Sequence, residues 1–332
     1  MRAAVCRQFG PPESVRVEDD YPAPVLADGQ VRVRVEAASV NFPDVLLVAN
    51  RYQLTVPVPF IPGSEFAGVI SEAGEGVTGL TIGDRVMGTV MVGAFADEVV
   101  VSPGSLALIP AGVSAPAAAA FGVAHRTAYH ALRTIAEVSP GERLVVLGAG
   151  GGVGLAAVQI GAVLGLDVTA VASSEDKLAV AASYGAVHGI NHKAGDVRKA
   201  LRELFPDGTD VVIDPVGGDL AEPALRSLRW AGRYVTIGYA AGSIPRIPLN
   251  LVMLKGCKII GFQMRDLSAH APDAVRRDEA ELRELLASGR VTPHVGASFG
   301  LPEAAAALRR VAEGQAIGKV VLQLSAESAQ GA

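Results

Sequence analysis

The sequence predicts an α/β protein of two domains, one β-rich and one built on a doubly wound parallel sheet. Three observations carry this. The first ~115 residues alternate apolar and polar positions between Gly/Pro turns; from residue 143 apolar strands and helices succeed one another in at least four β-α units; and the 332-residue length exceeds a single core at roughly 100–200 residues per domain.

The β-rich part reads in order as "VRVRVEAASV" (31–40), "EFAGVISEAG" (65–74) and "FADEVVVS" (95–102). Turns at 27–30, 57–64 and 81–86 divide these runs, and Pro59 and Pro62 make the second an irregular loop. Near residue 116 the composition becomes alanine-rich and helix-forming up to Ser139–Pro140–Gly141. Strands are then expected at 143–149, 167–173, 187–191, 210–217 and 232–240, with helices at 152–165, 175–184, to about 204 and to about 228. After "GCKIIGFQM" (256–264) come a charged helix, a helix near 302–313 and a last strand at 319–325. These last elements read as a return to the first domain. The expected division is 1–120 and 263–332 for the β-rich domain and 121–262 for the parallel sheet.

Composition excludes several functions. The formal charge of −5 comes from interspersed residues of both signs, which gives no basic footprint for nucleic acid or an anionic membrane. No apolar run reaches the roughly 18 residues of a membrane span, and the N-terminal residues lack a signal-peptide core, so a cytoplasmic protein is expected. Cys6 and Cys257 read as buried hydrophobes, too few for a cysteine-rich zinc site. Disorder is expected only in the last residues, "SAESAQGA". A small-molecule partner fits this composition.

The stretch "LGAGGGVGLAA" stands where a dinucleotide-binding loop belongs, after a buried strand and opening a helix. G-x-G-x-x-G cannot be placed on it. The best register is Ala149–x–Gly151–x–x–Gly154, with Gly148 and Gly150 as extra flexibility. Gly151 would let a pyrophosphate approach, Gly154 would pack helix on strand, and the N–H groups at the helix start, Gly152 and Val153 among them, would face the phosphates. A merely glycine-rich turn is the plainer alternative.

The second strand of this sheet ends "TAVASSEDKL". Ser173 and Ser174 stand where an NAD-binding fold carries an acid, and Lys177 follows one turn on. Two hydroxyls and a cation suit the 2′-phosphate of NADPH. The alternative is that a serine simply caps the helix, with Asp176 in its first turn. Gly217 and Gly238 follow the fourth and fifth strands, at the sheet edge where such folds bind ligands; ordinary turn chemistry is the other reading.

Six segments taken in order carry a family resemblance: "AASVNFPDVLLVANRY" (37–52), "IPGSEFAGVISEAGEGVTGLTIGDRV" (61–86), "GAFADEVVV" (93–101), "TAYHAL" (127–132), "GAGGGVG" (148–154) and "VIDPVGG" (212–218). Over nearly its whole length the chain resembles the medium-chain dehydrogenase/reductase superfamily, in its zinc-independent, zeta-crystallin-like quinone oxidoreductase branch. The resemblance implies a GroES-like catalytic domain, a Rossmann domain binding NADPH, and a homodimer whose Rossmann sheets join edge to edge. Zinc-dependent relatives place a Cys after the strand that here reads "AASVNFPD" and a His–Glu pair in "PGSEFAG". This chain has Val40–Asn41 and Ser64–Glu65 there, so no zinc site is expected.

The resemblance also assigns residues. Asn41 faces the nicotinamide ribose or the substrate, unless it only stabilises the turn before Pro43. Tyr52 borders the substrate pocket, where its phenol could stabilise an oxyanion, although a structural tyrosine would look the same. Thr127 approaches the nicotinamide; His192 replaces a tyrosine that lines the adenosine phosphate site; Phe262 and Gln263 meet the carboxamide; Lys319 lies near the cofactor. Phe42, Val45, Leu46, Leu47, Tyr52 and Leu54 read as an apolar substrate loop. The expected activity is hydride transfer to a quinone or an α,β-unsaturated carbonyl. Alternatives are a 2-enoyl thioester reductase, for which Arg51 offers one cation at the cleft mouth, and an NADPH-binding protein without catalysis.

Overall fold

The computed structural model describes residues 1–324, Arg265 by its backbone alone; the stretch expected to be disordered and the last residue of the expected final strand lie outside the described residues. The chain divides into two compact units, Met1–Val123 with 293–324, and Ala124–Thr292.

The first unit opens with β1 (Ala3–Cys6), β2 (Val15–Glu18), β3 (Val31–Val40), α1 (Phe42–Val48), β4 (Glu65–Ala73), β5 (Arg85–Thr89), β6 (Glu98–Val101), β7 (Leu106–Leu108) and α2 (Ala115–Ala119). From α3 (Gly122–His130) the chain enters the second unit through a π-helical turn, Ala131–Ile135. There follow β8 (Arg143–Leu147), α4 (Gly152–Val163), β9 (Asp167–Ala172), α5 (Glu175–Ser183), β10 (His188–Asn191), α6 (Val197–Leu204), β11 (Thr209–Asp214) and α7 (Ala221–Ser227). The unit ends with β12 (Leu228–Thr236), α8 (Leu249–Lys255), β13 (Lys258–Gly261), α9 (Met264–His270) and α10 (Pro272–Ala287). The first unit is then completed by β14 (Val295–Gly300), α11 (Ala304–Ala312) and β15 (Lys319–Gln323).

In the first unit the sheet runs β14-β15-β3-β4-β5-β7, with β6 also paired to β3. The alternation in β3 explains the layering. Val31, Val33 and Val35 are buried while Arg34 is exposed, as a period of two requires of a strand with one face on the core. Phe66, Ile70, Phe95 and Leu322 fill that core, each stabilising the fold by roughly 1.5–3 kcal/mol.

The segment read as a substrate loop is instead partly helical. Asn41 caps α1, and the Asp44 carboxylate reaches back to accept the Asn41 N–H at 2.7 Å. Leu47 and Val48 then turn into the core. The Asn41–x–x–Asp44 spacing ahead of "VLLV" is the signal that would have shown the helix.

The second unit holds a six-stranded, wholly parallel sheet in the order β10-β9-β8-β11-β12-β13. Every residue of β11 is buried, as expected with helices on both faces. The strand order reverses between β8 and β11, which marks the C-terminal ends of those strands as the place for a ligand. This unit extends to Thr292, past the expected boundary at 262, because α10 packs on α3. Tyr129 donates to Glu281 at 2.6 Å, Arg126 to Glu279 at 2.9 Å, and the buried Asp278 lies 3.2 Å from His130.

Candidate active site

In the first unit the strand ends converge on a sealed polar cluster. Asn41 follows β3, Glu65 begins β4 and Lys319 begins β15, which pairs antiparallel with β3. The Lys319 ammonium donates to the Asn41 amide oxygen at 2.5 Å and to Glu65 at 3.2 Å. Asn41 Nδ2 donates to Glu65 at 2.8 Å, and the other carboxylate oxygen of Glu65 accepts the Val123 N–H at 3.1 Å. Lys319 is 4% exposed and Glu65 1%, so a charge here is tolerable only because it is paired and hydrogen-bonded.

Asp44 completes the cluster. Burial pushes its carboxyl up to about 7, against the opposing pull of the Asn41 N–H, the Ser64 hydroxyl and Lys319. One of its oxygens finds no partner among the described residues. Asn41 thus has its oxygen taken and one amide hydrogen engaged. Its remaining contacts, to the Ser39 carbonyl and the Ser64 hydroxyl, are long at 3.4 Å, which leaves Nδ2 the atom with capacity for a ligand. Tyr52 packs half-buried against the same core, and its phenol makes no hydrogen bond among the described residues.

This donor set does not suit a zinc ion. Asn41 and Ser64 offer an amide and a hydroxyl where the zinc-dependent pattern has thiolate and imidazole, and the Lys319 ammonium already stands against Glu65. Among the described residues no group of three or more His, Cys, Asp or Glu could hold a metal.

In the second unit the glycine loop joins β8 to α4 at the switch point. The positive φ falls on Gly148, at +61°, and not on Ala149, whose N–H instead bonds the Val171 carbonyl at 3.0 Å. Gly154 is required by packing, because a Cβ there would meet the Gly148 oxygen at 2.1 Å. Nor are Gly148 and Gly150 spare flexibility: a Cβ on Gly150 would strike the stem of Lys177 at 2.6 Å. Gly151 differs, since its Cβ would only touch the Gly148 oxygen at 3.4 Å. The fold itself has room for a side chain at 151, so the bare backbone is left open to an external group, at the N-cap of a 12-residue helix whose first turn holds Gly152 and Val153.

Beside this loop β9 ends at Ser173 and Ser174. Ser174 caps α5 by accepting the Lys177 N–H at 3.4 Å, while the Lys177 ammonium donates to Ser173 at 3.1 Å. The capping reading therefore holds for Ser174, while Ser173 and the Lys177 ammonium stand paired at the end of β9. Partial burial lowers the pKa of Lys177. His192 joins the group through its N–H, which bonds the Ala172 carbonyl at 3.0 Å; burial first, then Lys193 and Lys177, lowers the pKa of its imidazole.

Gly217 and Gly238 meet at the ends of β11 and β12. Asp214 binds this pair of loops together: its side chain accepts the Gly217 N–H at 2.8 Å and its carbonyl the Gly238 N–H at 3.4 Å. Gly217 adopts φ +67°. Phe262 and Gln263 follow β13, and Gln263 starts α9. Thr127 is buried on α3. Asn41 and Lys319 thus belong to one cluster of the first unit, and the glycine loop, Ser173, Ser174, Lys177, His192, Gly217 and Gly238 gather at one edge of the second. Sequence reasoning overlooked Asp44, Glu65 and Asp214; acids inside otherwise apolar strand-end segments were the available signal.

A GroES-like β-domain joined to a Rossmann sheet defines the class. Residues 27–111 match the alcohol dehydrogenase GroES-like domain family, and residues 152–282 the zinc-binding dehydrogenase family. The quinone oxidoreductase-like protein 2 homolog of Nematostella vectensis is 34% identical over 325 residues, 97% of this chain and 88% of that protein. Human quinone oxidoreductase is 30% identical, covering 98% of both chains. The quinone oxidoreductase of Thermus thermophilus, whose structures include a complex with NADPH, superposes with TM-score 0.84 at 34% identity, over 98% of this chain and all of that one. The chain belongs to the medium-chain dehydrogenase/reductase family. Within that family it is an oxidoreductase of the quinone oxidoreductase-like branch.

Proposed function

We propose that this protein is a zinc-free, NADPH-dependent reductase that delivers hydride to a quinone or to a C=C conjugated to a carbonyl. The observation that carries the reading is the Lys177–Ser173 pair at the end of β9, a cation and a hydroxyl where an NAD-specific site holds an acid. The Thermus relative's NADPH complex supports it.

NADPH, when bound, supplies a hydride from its nicotinamide ring. Ser173, Ser174 and Lys177 hold the 2′-phosphate, and His192 lines the adenosine phosphate. The bare backbone at Gly151, beside Ala149, with the N–H groups of Gly152, Val153 and Gly154 takes the pyrophosphate. Thr127, Gly217, Gly238, Phe262 and Gln263 serve the nicotinamide half. Asn41 offers Nδ2 to the nicotinamide ribose or the substrate, its orientation fixed by Lys319 and Glu65, and Lys319 acts through it. The Tyr52 phenol donates to the substrate oxygen and stabilises the negative charge that reduction leaves there. With hydrogen bonds doing this, no Lewis acid is required.

The assembly we propose is a homodimer. β13 is one of the two edge strands of the parallel sheet, β10 being the other, and Trp230 (75% exposed), Met253 (71%) and Leu254 (68%) lie on β12 and α8 beside β13. A second copy would cover both the edge and the apolar side chains. No helix among the described residues is long and apolar enough to cross a membrane. The two cysteines are free and buried, which supports a reducing compartment such as the cytoplasm.

A substrate panel run with NADPH and with NADH tests the function. Rapid NADPH oxidation with 1,4-naphthoquinone or 9,10-phenanthrenequinone supports the quinone reading. Oxidation with crotonyl-CoA alone transfers it to enoyl thioesters, and binding of NADPH without turnover on any acceptor removes the enzyme.

A further inference from the structure

The ends of β8, β11 and β12 are held as one piece by a buried carboxylate that makes no contact in the proposed hydride transfer. Asp214 is fully buried, and its side chain accepts three hydrogen bonds: from the Val216 N–H and the Gly217 N–H, both at 2.8 Å, and from the Tyr234 phenol at 2.5 Å. The register explains the last. Val212 pairs with Tyr234 across the parallel ladder, so Asp214, two residues on, stands on the same face.

The Asp214 carbonyl also accepts the Ile237 N–H at 2.8 Å, which ties the end of β12 to that of β11. Val216, placed by the carboxylate, covers Gly148 so closely that a Cβ there would come within 2.5 Å of its Cγ2. Burial, and then Asp214 itself, pushes the pKa of the Tyr234 phenol up, so it remains a donor.

The strand order says which part of the cofactor this serves. The 2′-phosphate residues end β9, and the sheet continues β8, β11, β12 away from them. A dinucleotide that starts at β9 and crosses the β8 loop therefore sets its nicotinamide half at the ends of β11 and β12. We propose that Asp214, with Tyr234 as its hydrogen-bond donor, is a positioning residue that preorganises the Gly217 and Gly238 loops for the nicotinamide half of NADPH and leaves the adenosine half unaffected. This rests on the reading of the second unit as the NADPH site.

The experiment compares the dissociation constants of NADPH and of 2′,5′-ADP, which carries only the adenosine half, in wild type, Tyr234→Phe and Asp214→Asn. Both variants keep shape and volume; should Asp214→Asn not fold, Tyr234→Phe still decides. The expected result for Tyr234→Phe is NADPH binding weakened about tenfold, the effect of a loop competent one-tenth of the time, with 2′,5′-ADP affinity and kcat at saturating NADPH unchanged. Asp214→Asn, whose amide can still accept and donate, falls between. Unchanged NADPH affinity in both variants, or equal weakening of both ligands, overturns the inference. Failure of wild type to bind 2′,5′-ADP instead contradicts the NADPH site itself.

Discussion

The Lys319 ammonium and the Glu65 carboxylate face each other at 3.2 Å, both almost sealed from solvent, with the Asn41 amide bridging them. In the zinc-dependent pattern a metal ion would supply positive charge in this neighbourhood; here a lysine does. The pair is also structural, since it joins β15 to β4 across the intervening β3.

Removing one partner should therefore cost more than removing both. Lys319→Met strands a buried carboxylate and is expected to lower unfolding free energy by about 3–5 kcal/mol. The double variant Glu65→Gln/Lys319→Met, which buries no net charge, should recover most of it. Urea unfolding of the four proteins in the cycle measures the coupling; additive losses would show that the two groups do not support one another.

Asp44 gives a pH dependence of definite sign. Its carboxyl, pushed up to about 7 by burial, keeps its proton in the fold, while the unfolded chain sheds it near pH 4. Stability falls as pH rises from about 4 to about 7 and levels off above that. Asp44→Asn removes this slope, so the variant gains on wild type across the window, by roughly 3–4 kcal/mol at its top. Denaturation midpoints at several pH values read this directly; parallel curves for the two proteins would refute it.

The glycine loop separates folding from binding. Gly154→Ala drives a methyl to 2.1 Å from the Gly148 oxygen and should destabilise the protein by at least about 1–3 kcal/mol, the cost of overpacking. Gly151→Ala meets only a 3.4 Å contact. It should melt within a few degrees of wild type, yet bind NADPH at least about tenfold more weakly, because its methyl occupies the approach of the pyrophosphate. Calorimetric Tm and fluorescence titration on the same two variants give both numbers.

Cofactor choice should rest on Lys177. Lys177→Ala is expected to reduce kcat/KM for NADPH about 10–100-fold, the worth of a charge-assisted hydrogen bond, with NADH turnover unchanged. Equal losses with the two cofactors would place Lys177 in the scaffold alone.

At the sheet edge, Met253→Lys introduces a charge into the exposed apolar surface of α8. It should shift sedimentation from dimer toward monomer without lowering Tm by more than about 2 °C. A monomeric wild type would contradict the assembly.

Local pattern made much of this fold legible. The two-residue alternation of "VRVRV" announced β3, and the β-α rhythm from 143 announced the parallel sheet. The short helix α1 escaped because Pro43 and the brevity of "VLLV" resemble a loop; only its Asn–Asp cap betrays it. The extension of the second unit to Thr292 was hidden for a different reason: α10 is held by pairs such as Asp278 with His130, far apart in sequence. Lys319 and Glu65, 254 residues apart, could not be paired from the chain at all. The place of the glycine loop between a strand and a helix was readable, but the need for glycine at 148 and 150 was not, since it comes from a backbone angle and from the stem of Lys177.

The most direct test of the account is NADPH consumption with 1,4-naphthoquinone by protein dialysed against a strong chelator, with its zinc content measured by mass spectrometry. Hydrogen-bond catalysis without a metal predicts full turnover at zinc far below one atom per chain, and no gain when zinc is restored. Loss of activity on chelation with recovery on adding zinc would contradict it.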